Sequence, residues 1–339
     1  PQLFILHGRL LRCRGTIVDR LNSQKVLERA VQLYPDNPDV VQELGLTYFS
    51  QTFYPDAARC FERALEIDPG LCDAKYKLGV THYERWKLRV NAFMDEAMSA
   101  RMWLNEAVEC DPGNSDAAVR HVCVLYALGR KDEADAAARD CASRFPAVPA
   151  FPLMSGTVAY EHGRYVEADS CYRIALSCMD EEELAAYASL GRNLLGYDDM
   201  KIYENSADEQ KANIDRAFWL VRDFDPTTDV NERFLEHVYR TFRADIYFSH
   251  SSVHVSWVKP QTRGWDTERG EISIKFGWPS DIHASHGGDR FESWTYVTFG
   301  QIHQFYFSDR FLNGNLQIPP NRSEKLVFAR HQTRTTRYR

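Results

Sequence analysis

The sequence predicts an α+β chain: an N-terminal α-solenoid of helical hairpins, then a helical bridge, then a small and mostly antiparallel β domain. Three observations predict it. Small and aromatic residues recur at a spacing of about 34 over the first 180 positions. Residues 181–245 carry apolar residues at helical spacing with little Gly or Ser. From Ile246 onward the texture changes to alternation punctuated by Gly and Pro. The expected boundaries are 1–180 for the hairpins, 181–245 for the bridge, 246–318 for the β domain and 319–339 for a basic tail.

The clearest hairpin runs from Pro38 to Leu71, with Leu44, Gly45, Tyr48, Ala57, Phe61, Ala64 and Pro69 at unit positions 7, 8, 11, 20, 24, 27 and 32. Gly45 and Ala57 are small where two antiparallel helices cross, Leu44, Tyr48, Phe61 and Ala64 fill the seam, and Pro69 stops the second helix. A unit opening at Cys72 carries Leu78, Gly79, Ala107 and Pro112 but is nine residues too long, so Glu84–Ala97 extends its hairpin. Further units open at Ser115 (Leu125, Gly129, Ala134, Ala138, Pro146) and Pro149 (Gly156, Gly163, Tyr165, Ala168, Tyr172, Ala175). A degraded unit fits residues 4–37. This pattern resembles the tetratricopeptide repeat, a binding scaffold rather than a catalyst.

In such arrays the first helix of each hairpin lines a concave face. Position 12 of the units is Phe49, Tyr83, Tyr126 and Tyr160, and position 5 is Gln42, Tyr76, Val119 and Leu153. The expected partner-binding groove is therefore Phe49, Tyr76, Tyr83, Tyr126, Leu153 and Tyr160, an apolar strip for an extended peptide or an amphipathic helix. Two readings stay open: a groove for a ligand, or rings packed within the protein. The groove lacks the basic pairs that clamp C-terminal carboxylates.

In the bridge, Glu181, Glu182 and Glu183 suit a helix N-terminus, followed by Leu184, Tyr187, Leu190, Leu194 and Leu195. A helix over Ser206–Asp223 has Ile214, Phe218, Trp219 and Val221 in its inner stripe, and a last helix from Glu232 is capped by Asn231 or Asp229. Strands are expected around Val253–Trp257, Glu271–Phe276, Trp294–Thr298 and Ile302–Phe307, with turns at Gly264, Gly277, Pro279, Gly287–Gly288, Gly300 and Asn313–Gly314.

Asp225-Pro226 with Asn231-Glu232, then Gly264-Trp265-Asp266-Thr267-Glu268-Arg269-Gly270, then Phe276-Gly277-Trp278-Pro279-Ser280-Asp281, then Trp294-Thr295-Tyr296 resemble the bacterial GWxTD domain over residues 215–318. Glu268 stands where the family name has Asp. The family has no established reaction, so the resemblance implies a domain without a task. Bottom-up, Gly264 and Gly270 permit tight turns, Trp265 anchors the loop, Thr267 bonds the turn, Glu268 and Arg269 seek ionic partners, and Gly277 and Pro279 end the preceding strand.

Net charge is −7, unevenly placed: residues 240–339 hold 14 Lys/Arg against 9 Asp/Glu, leaving −12 on residues 1–239. That balance argues against nucleic acid as a partner, and no apolar run reaches the roughly 20 residues of a membrane span. The chain opens at Pro1 without a leader, which says nothing about export. Eight cysteines, none in a Cys-x-x-Cys pair, read as small buried residues with free thiols. His283, His286 and Asp289 have metal-ligand chemistry on a Gly-rich loop with no helix to align them, and an ordinary polar turn accounts for them better. No Gly-x-Ser-x-Gly elbow, Walker loop or dinucleotide fingerprint occurs. No cofactor or metal is expected. The tail, with Arg322, Lys325, Arg330, Arg334, Arg337 and Arg339, suits contact with an acidic neighbour. The expected function is a non-enzymatic adaptor or structural subunit of a bacterial assembly, its partners other protein chains, copies of itself or subunits of a complex. The alternative is an enzyme or small-ligand binder seated around Trp265 and Asp281.

Overall fold

The structure, a computed structural model, describes residues 1–88, 94–188, 194–195, 197–249, 263–285, 291–298, 301–309 and 316–318. The expected strand at 253–257, Leu190, the turns at 287–288, 300 and 313–314, His286 and Asp289, and the basic tail lie outside the described residues. The chain forms two compact units, residues 1–154 and the described residues from 155 onward.

The first unit is a run of antiparallel helical hairpins of the tetratricopeptide type: α1 (Gln2–Arg14) with α2 (Ile17–Leu33), α3 (Pro38–Ser50) with α4 (Tyr54–Ile67), α5 (Cys72–Leu88) with α6 (Met94–Cys110), and α7 (Ser115–Ala127) with α8 (Lys131–Arg144). Helix starts are written in the sequence. Asn37 and Asn114 accept hydrogen bonds from the Val40 and Ala117 amides at 3.0 Å, and Thr16 caps α2 in the same way. Each second helix packs on the next first helix, burying Val41, Ala57, Phe61, Ala64, Ala74 and Leu78 in one cluster. The nine extra residues of the third unit are taken up by α5 and α6, both 17 residues long, and by their connection.

The cysteine expectation is corrected here. Cys72, the first residue of α5, is disulfide-bonded to Cys110, the last residue of α6, with Cα atoms 5.5 Å apart. The partners are 38 positions apart, so no local spacing announces the pair. The bond fastens the two ends of the longest hairpin.

In the second unit, the part of α9 (Ala150–Glu161) from Ser155 packs on α10 (Tyr165–Ser177), with Gly156 facing Tyr172. Then come α11 (Glu181–Ala188), α12 (Tyr197–Glu204), α13 (Asp208–Val221) and the long α14 (Glu232–Phe248), capped by Asn231 on the Phe234 amide at 2.8 Å. Trp219 of α13 is buried and its indole donates to the Ala188 carbonyl. Val221, expected in the same stripe, is exposed, because two residues along a helix is about 200° of rotation.

A larger correction follows. The segment read as a strand over Glu271–Phe276 is a helix, α15 (Glu268–Phe276), entered through a 3₁₀ turn at Gly264–Asp266. Its alternation of Ile272 and Ile274 gave a strand period, but the less buried Glu268, Glu271 and Lys275 recur three and four positions apart, as on one side of a helix, and Lys275 pairs with Glu271 at 2.7 Å. Among the described residues the strands are β1 (Asp281–Ala284), β2 (Phe291–Thr298) and β3 (Gln301–Ser308), antiparallel in the order β1-β2-β3. Trp294 pairs with Phe305 across β2 and β3, and with Phe248, Trp278 and Phe307 it forms the aromatic core of this unit.

Removing the disulfide by Cys72→Ser with Cys110→Ser is expected to cost the first unit about 4 kcal/mol by loop-closure entropy. Thermal unfolding of the oxidised wild type and the double variant checks it, and equal midpoints would refute it.

His237 of α14 is fully buried and tilted against Trp219, ring centroids 5.1 Å apart. Burial pushes its pKa down to about 4, with the Ala186 backbone partly opposing and Arg233 and Arg240 reinforcing the shift. Below pH 6.5 the unfolded chain takes up a proton that the folded ring refuses until about pH 4. Stability from this group is therefore complete above pH 6.5 and lost as the pH falls towards 4, on the order of 3 kcal/mol. His237→Phe should remove that slope in unfolding curves taken from pH 4 to 7.5; a difference between the two proteins that does not vary with pH would refute it.

Candidate partner-binding groove

Successive first helices of the first unit, α1, α3, α5 and α7, lie side by side and are joined by polar side chains. Two of these joints follow one rule. Position 5 of one repeat bonds the acid at position 2 of the next: Gln42 donates to Asp73 at 2.6 Å, and the Tyr76 hydroxyl donates to Asp116. The following rung is Val119 opposite Ala150, which cannot hydrogen-bond through their side chains, so the ladder stops there. Asp39, Asp73 and Asp116 are all exposed, a carboxylate at the second position of three repeats in a row.

Arg120 of α7 ties the ladder down. Its guanidinium bonds Asp116 at 2.6 Å and the buried Glu84 at 3.1 Å, and sits over the Tyr83 ring at 5.3 Å. Lys87 approaches the same ring from α5, 4.9 Å from its centroid and 3.8 Å from Glu84. Burial alone would raise the Asp116 carboxyl, but Arg120 and the Tyr76 hydroxyl hold it below the usual range. Burial and the facing carboxylate push Tyr76 up, so its proton stays on and donates. Further along the row, Glu43 is buried beneath Arg9 at 2.7 Å and Arg12 at 2.5 Å.

The six residues expected to line the groove have different fates. Tyr76 is half-buried and stands in the ladder, with the Lys77 ammonium 4.6 Å above its ring. Tyr83 is buried against Trp86, and Tyr126 and Leu153 are buried too. Phe49 is half-buried edge-on to Tyr54 at its own hairpin turn. Tyr160 belongs to the second unit, where it stacks on Tyr239 at 4.7 Å and meets Tyr165 at 5.5 Å. The face is therefore polar around Tyr76 rather than a continuous aromatic strip. The reading of rings by column missed Asp73, Asp116, Glu84 and Arg120. The signal for two of them was in the sequence: an Asp directly after the opening residue of three units.

In the second unit, the motif residues hold one another. A Cβ on Gly264 would lie 1.8 Å from the Ala244 carbonyl oxygen, and one on Gly270 would lie 1.8 Å from that of Gly264. These glycines allow close backbone approach and neither needs a positive φ; of the motif's glycines only Gly277 does, at 81°. The Gly264 amide donates to Asp245 at 2.7 Å; Thr267 donates to the Gly264 carbonyl and accepts from the Gly270 amide, capping α15. Trp265 is half-buried in the 3₁₀ turn, and Glu268 accepts from the Ile318 amide. Arg269 is buried in an ion pair with Glu292 at 3.4 Å, over the Phe248 ring. Buried Tyr296 donates to the Gly277 carbonyl at 3.0 Å; Pro279 and Trp294 are buried, while Asp281 is exposed at the start of β1. His283 lies on β1 beside Phe291.

No protein-family profile matches the chain. Among curated proteins it is similar to human Superkiller complex protein 3, 31% identical over 83 residues, which is 24% of this chain and 5% of that protein. Among solved structures it is similar to MamA, at 22% identity over 52% of this chain and 96% of that one, TM-score 0.45. It is also similar to YrrB, titled a TPR protein with an unusual peptide-binding site, at 19% identity over 55% of this chain and 89% of that one, TM-score 0.44.

Replacing Arg120 by Leu leaves the buried Glu84 with the more distant Lys87 at 3.8 Å and removes the guanidinium from Asp116, which keeps the Tyr76 hydroxyl. The expected cost is about 3 kcal/mol, the low end for a broken buried pair because Asp116 is half exposed. Urea unfolding of the first unit's helical signal checks it, and a loss under 1 kcal/mol would refute it.

Proposed function

We propose that the chain is a protein-binding adaptor that holds an extended, basic segment of another protein along α3, α5 and α7. The observation that carries this reading is the ladder of Gln42, Asp73, Tyr76 and Asp116. It places hydrogen-bonding groups at a regular interval and fixes them before any partner arrives, which lowers the ordering cost of binding. Asp39, Asp73 and Asp116 place three carboxylates along that face, with Asp73 3.9 Å from Lys77 and Asp116 paired with Arg120, in a stretch, residues 1–239, that carries −12. Lys or Arg side chains of a partner complement such a face, and Tyr76 offers a ring to lie against. The short stretch shared with a protein named for the superkiller complex fits a role inside an assembly. The second unit is read as a GWxTD-type domain of a bacterial assembly subunit. Its motif residues serve the fold: Thr267 caps α15 and Arg269 neutralises Glu292 beneath the sheet.

The test is selection of 15-residue peptides by the immobilised 339-residue chain, followed by titration at two salt concentrations. Selected peptides should be enriched in Lys and Arg, weaken with salt, and lose at least tenfold in affinity to Tyr76→Ala with Asp73→Asn, about 1.4 kcal/mol. Binders indifferent to both substitutions, or no enrichment at all, would refute the reading.

A further inference from the structure

Of the three helices that carry the ladder, α3, α5 and α7, the middle one starts differently. Asn37 caps α3 and Asn114 caps α7, each accepting the amide three residues on at 3.0 Å. At the same place before α5 stands Leu71, whose side chain has no acceptor. The Lys75 amide bonds the Leu71 carbonyl at 3.1 Å, as Val41 bonds Asn37 and Ala118 bonds Asn114. The residue after Leu71, Cys72, is instead tied covalently to Cys110.

The tie joins two like turns. Asp68 accepts from the Gly70 amide at 2.9 Å before α5, and Asp111 accepts from the Gly113 amide at 3.1 Å before α7. Both sulfurs lie near the Gly70 carbonyl oxygen, at 3.7 and 3.9 Å, and neither cysteine is buried. Asp73 follows Cys72 directly, and Tyr76 stands about one turn further along α5. Both rungs, Gln42 to Asp73 and Tyr76 to Asp116, therefore include a residue within about one turn of this bond. The body of the hairpin is held separately. Leu104 packs on Gly79, and Ala74, Leu78 and Ala107 are buried.

We propose that the Cys72–Cys110 bond is a thiol-operated latch on the partner-binding face. Closed, it holds the uncapped start of α5 and keeps the ladder set; open, it lets that turn fray and weakens binding. The binding half of this inference rests on the groove reading. An external dithiol supplies both electrons. One of its thiolates attacks the sulfur of either cysteine, the S–S bond breaks, and the other cysteine leaves as a thiolate that takes up a proton. The second thiol of the reductant then displaces the attacked cysteine, and the reductant departs as its own disulfide. Opening from within is disfavoured. Burial pushes the thiols of Cys60 on α4 and Cys141 on α8 up, Cys60 to about 11, so both stay protonated near neutral pH.

The test compares the oxidised chain with the chain in excess dithiothreitol, reading hydrogen exchange at single amides by NMR. Lys75 should exchange about fivefold faster after reduction, as expected for a lost cap, while Val41 at the start of α3 stays nearly unchanged. Cys72→Ser with Cys110→Ser should match the reduced protein with or without dithiothreitol. Adding Leu71→Asn to that variant should slow Lys75 again, because a side-chain cap then replaces the latch. Equal exchange at Lys75 in the two states overturns the inference, as does a bond that dithiothreitol leaves intact in the folded chain. Loss of the whole helical signal on reduction overturns it equally, since the bond would then hold the fold and not one turn. Titration of selected Lys- and Arg-rich peptides separates this inference from the groove reading. Binding that weakens roughly threefold or more on reduction supports both. Binding that reduction does not change overturns the latch and leaves the groove standing. No binding in either state refutes the groove, and this role for the bond with it.

Discussion

The close crossing of helices within each hairpin is the constraint on which the rest depends. A Cβ on Gly45 would lie 2.8 Å from the Phe61 ring, one on Gly79 2.9 Å from Leu104, and one on Gly156 2.5 Å from Tyr172. Each glycine accepts a large side chain from the second helix at nearly backbone distance. That contact sets the spacing of the pair, and the burial of Ala57, Ala74 and Ala107 carries the same spacing from one pair to the next. A stack built on van der Waals contact repeats faithfully, because packed interiors have few voids to absorb error. The polar ladder of the first helices depends on this: Gln42 meets Asp73 and Tyr76 meets Asp116 only if the repeat is the same each time.

Long α14 plays the organising part in the second unit. Its Trp219-facing side holds His237, while Phe248 and Tyr247 at its end meet Trp278, and Phe248 also meets Trp294. Asp245 near that end bonds both the Tyr187 hydroxyl and the Gly264 amide, joining α11 and the 3₁₀ turn to one carboxylate. Arg240 donates to the Ile274 and Lys275 carbonyls at the end of α15, satisfying groups that a helix leaves open. The glycines and threonine of the motif are explained by this crowding.

How much was legible in the residues follows from what each signal measures. The hairpins were legible because Gly45, Ala57, Phe61 and Pro69 each report a local steric demand that recurs. Of Asn231 and Asp229, both legible as the start of the last helix, it is Asn231 that caps it. The strand reading of 271–276 failed because Ile272, Ile274 and Phe276 alternate by chance within a helix, and that alternation outweighed the helical spacing of Glu268, Glu271 and Lys275; Thr267 before it and Gly277 after it are the capping residues that mark the helix. The groove was legible only in part. Column position found Tyr76, but whether a ring faces solvent or its neighbour is decided by tertiary packing, which buried Tyr83 and Tyr126 and gave Tyr160 a partner in Tyr239. Cys72 and Cys110 were opaque, since a bond between distant residues leaves no local trace.

The ladder of the first helices ends abruptly at Val119 and Ala150, whose side chains cannot hydrogen-bond. Neighbouring helices stand about 8–10 Å apart, which an extended chain crosses in about three residues at ~3.3 Å each. Under the proposed function, two rungs would therefore span some six residues of a bound segment, with polar punctuation at one end and an apolar stop at the other. Unlike ends of that kind would let such a surface distinguish a sequence from its reverse.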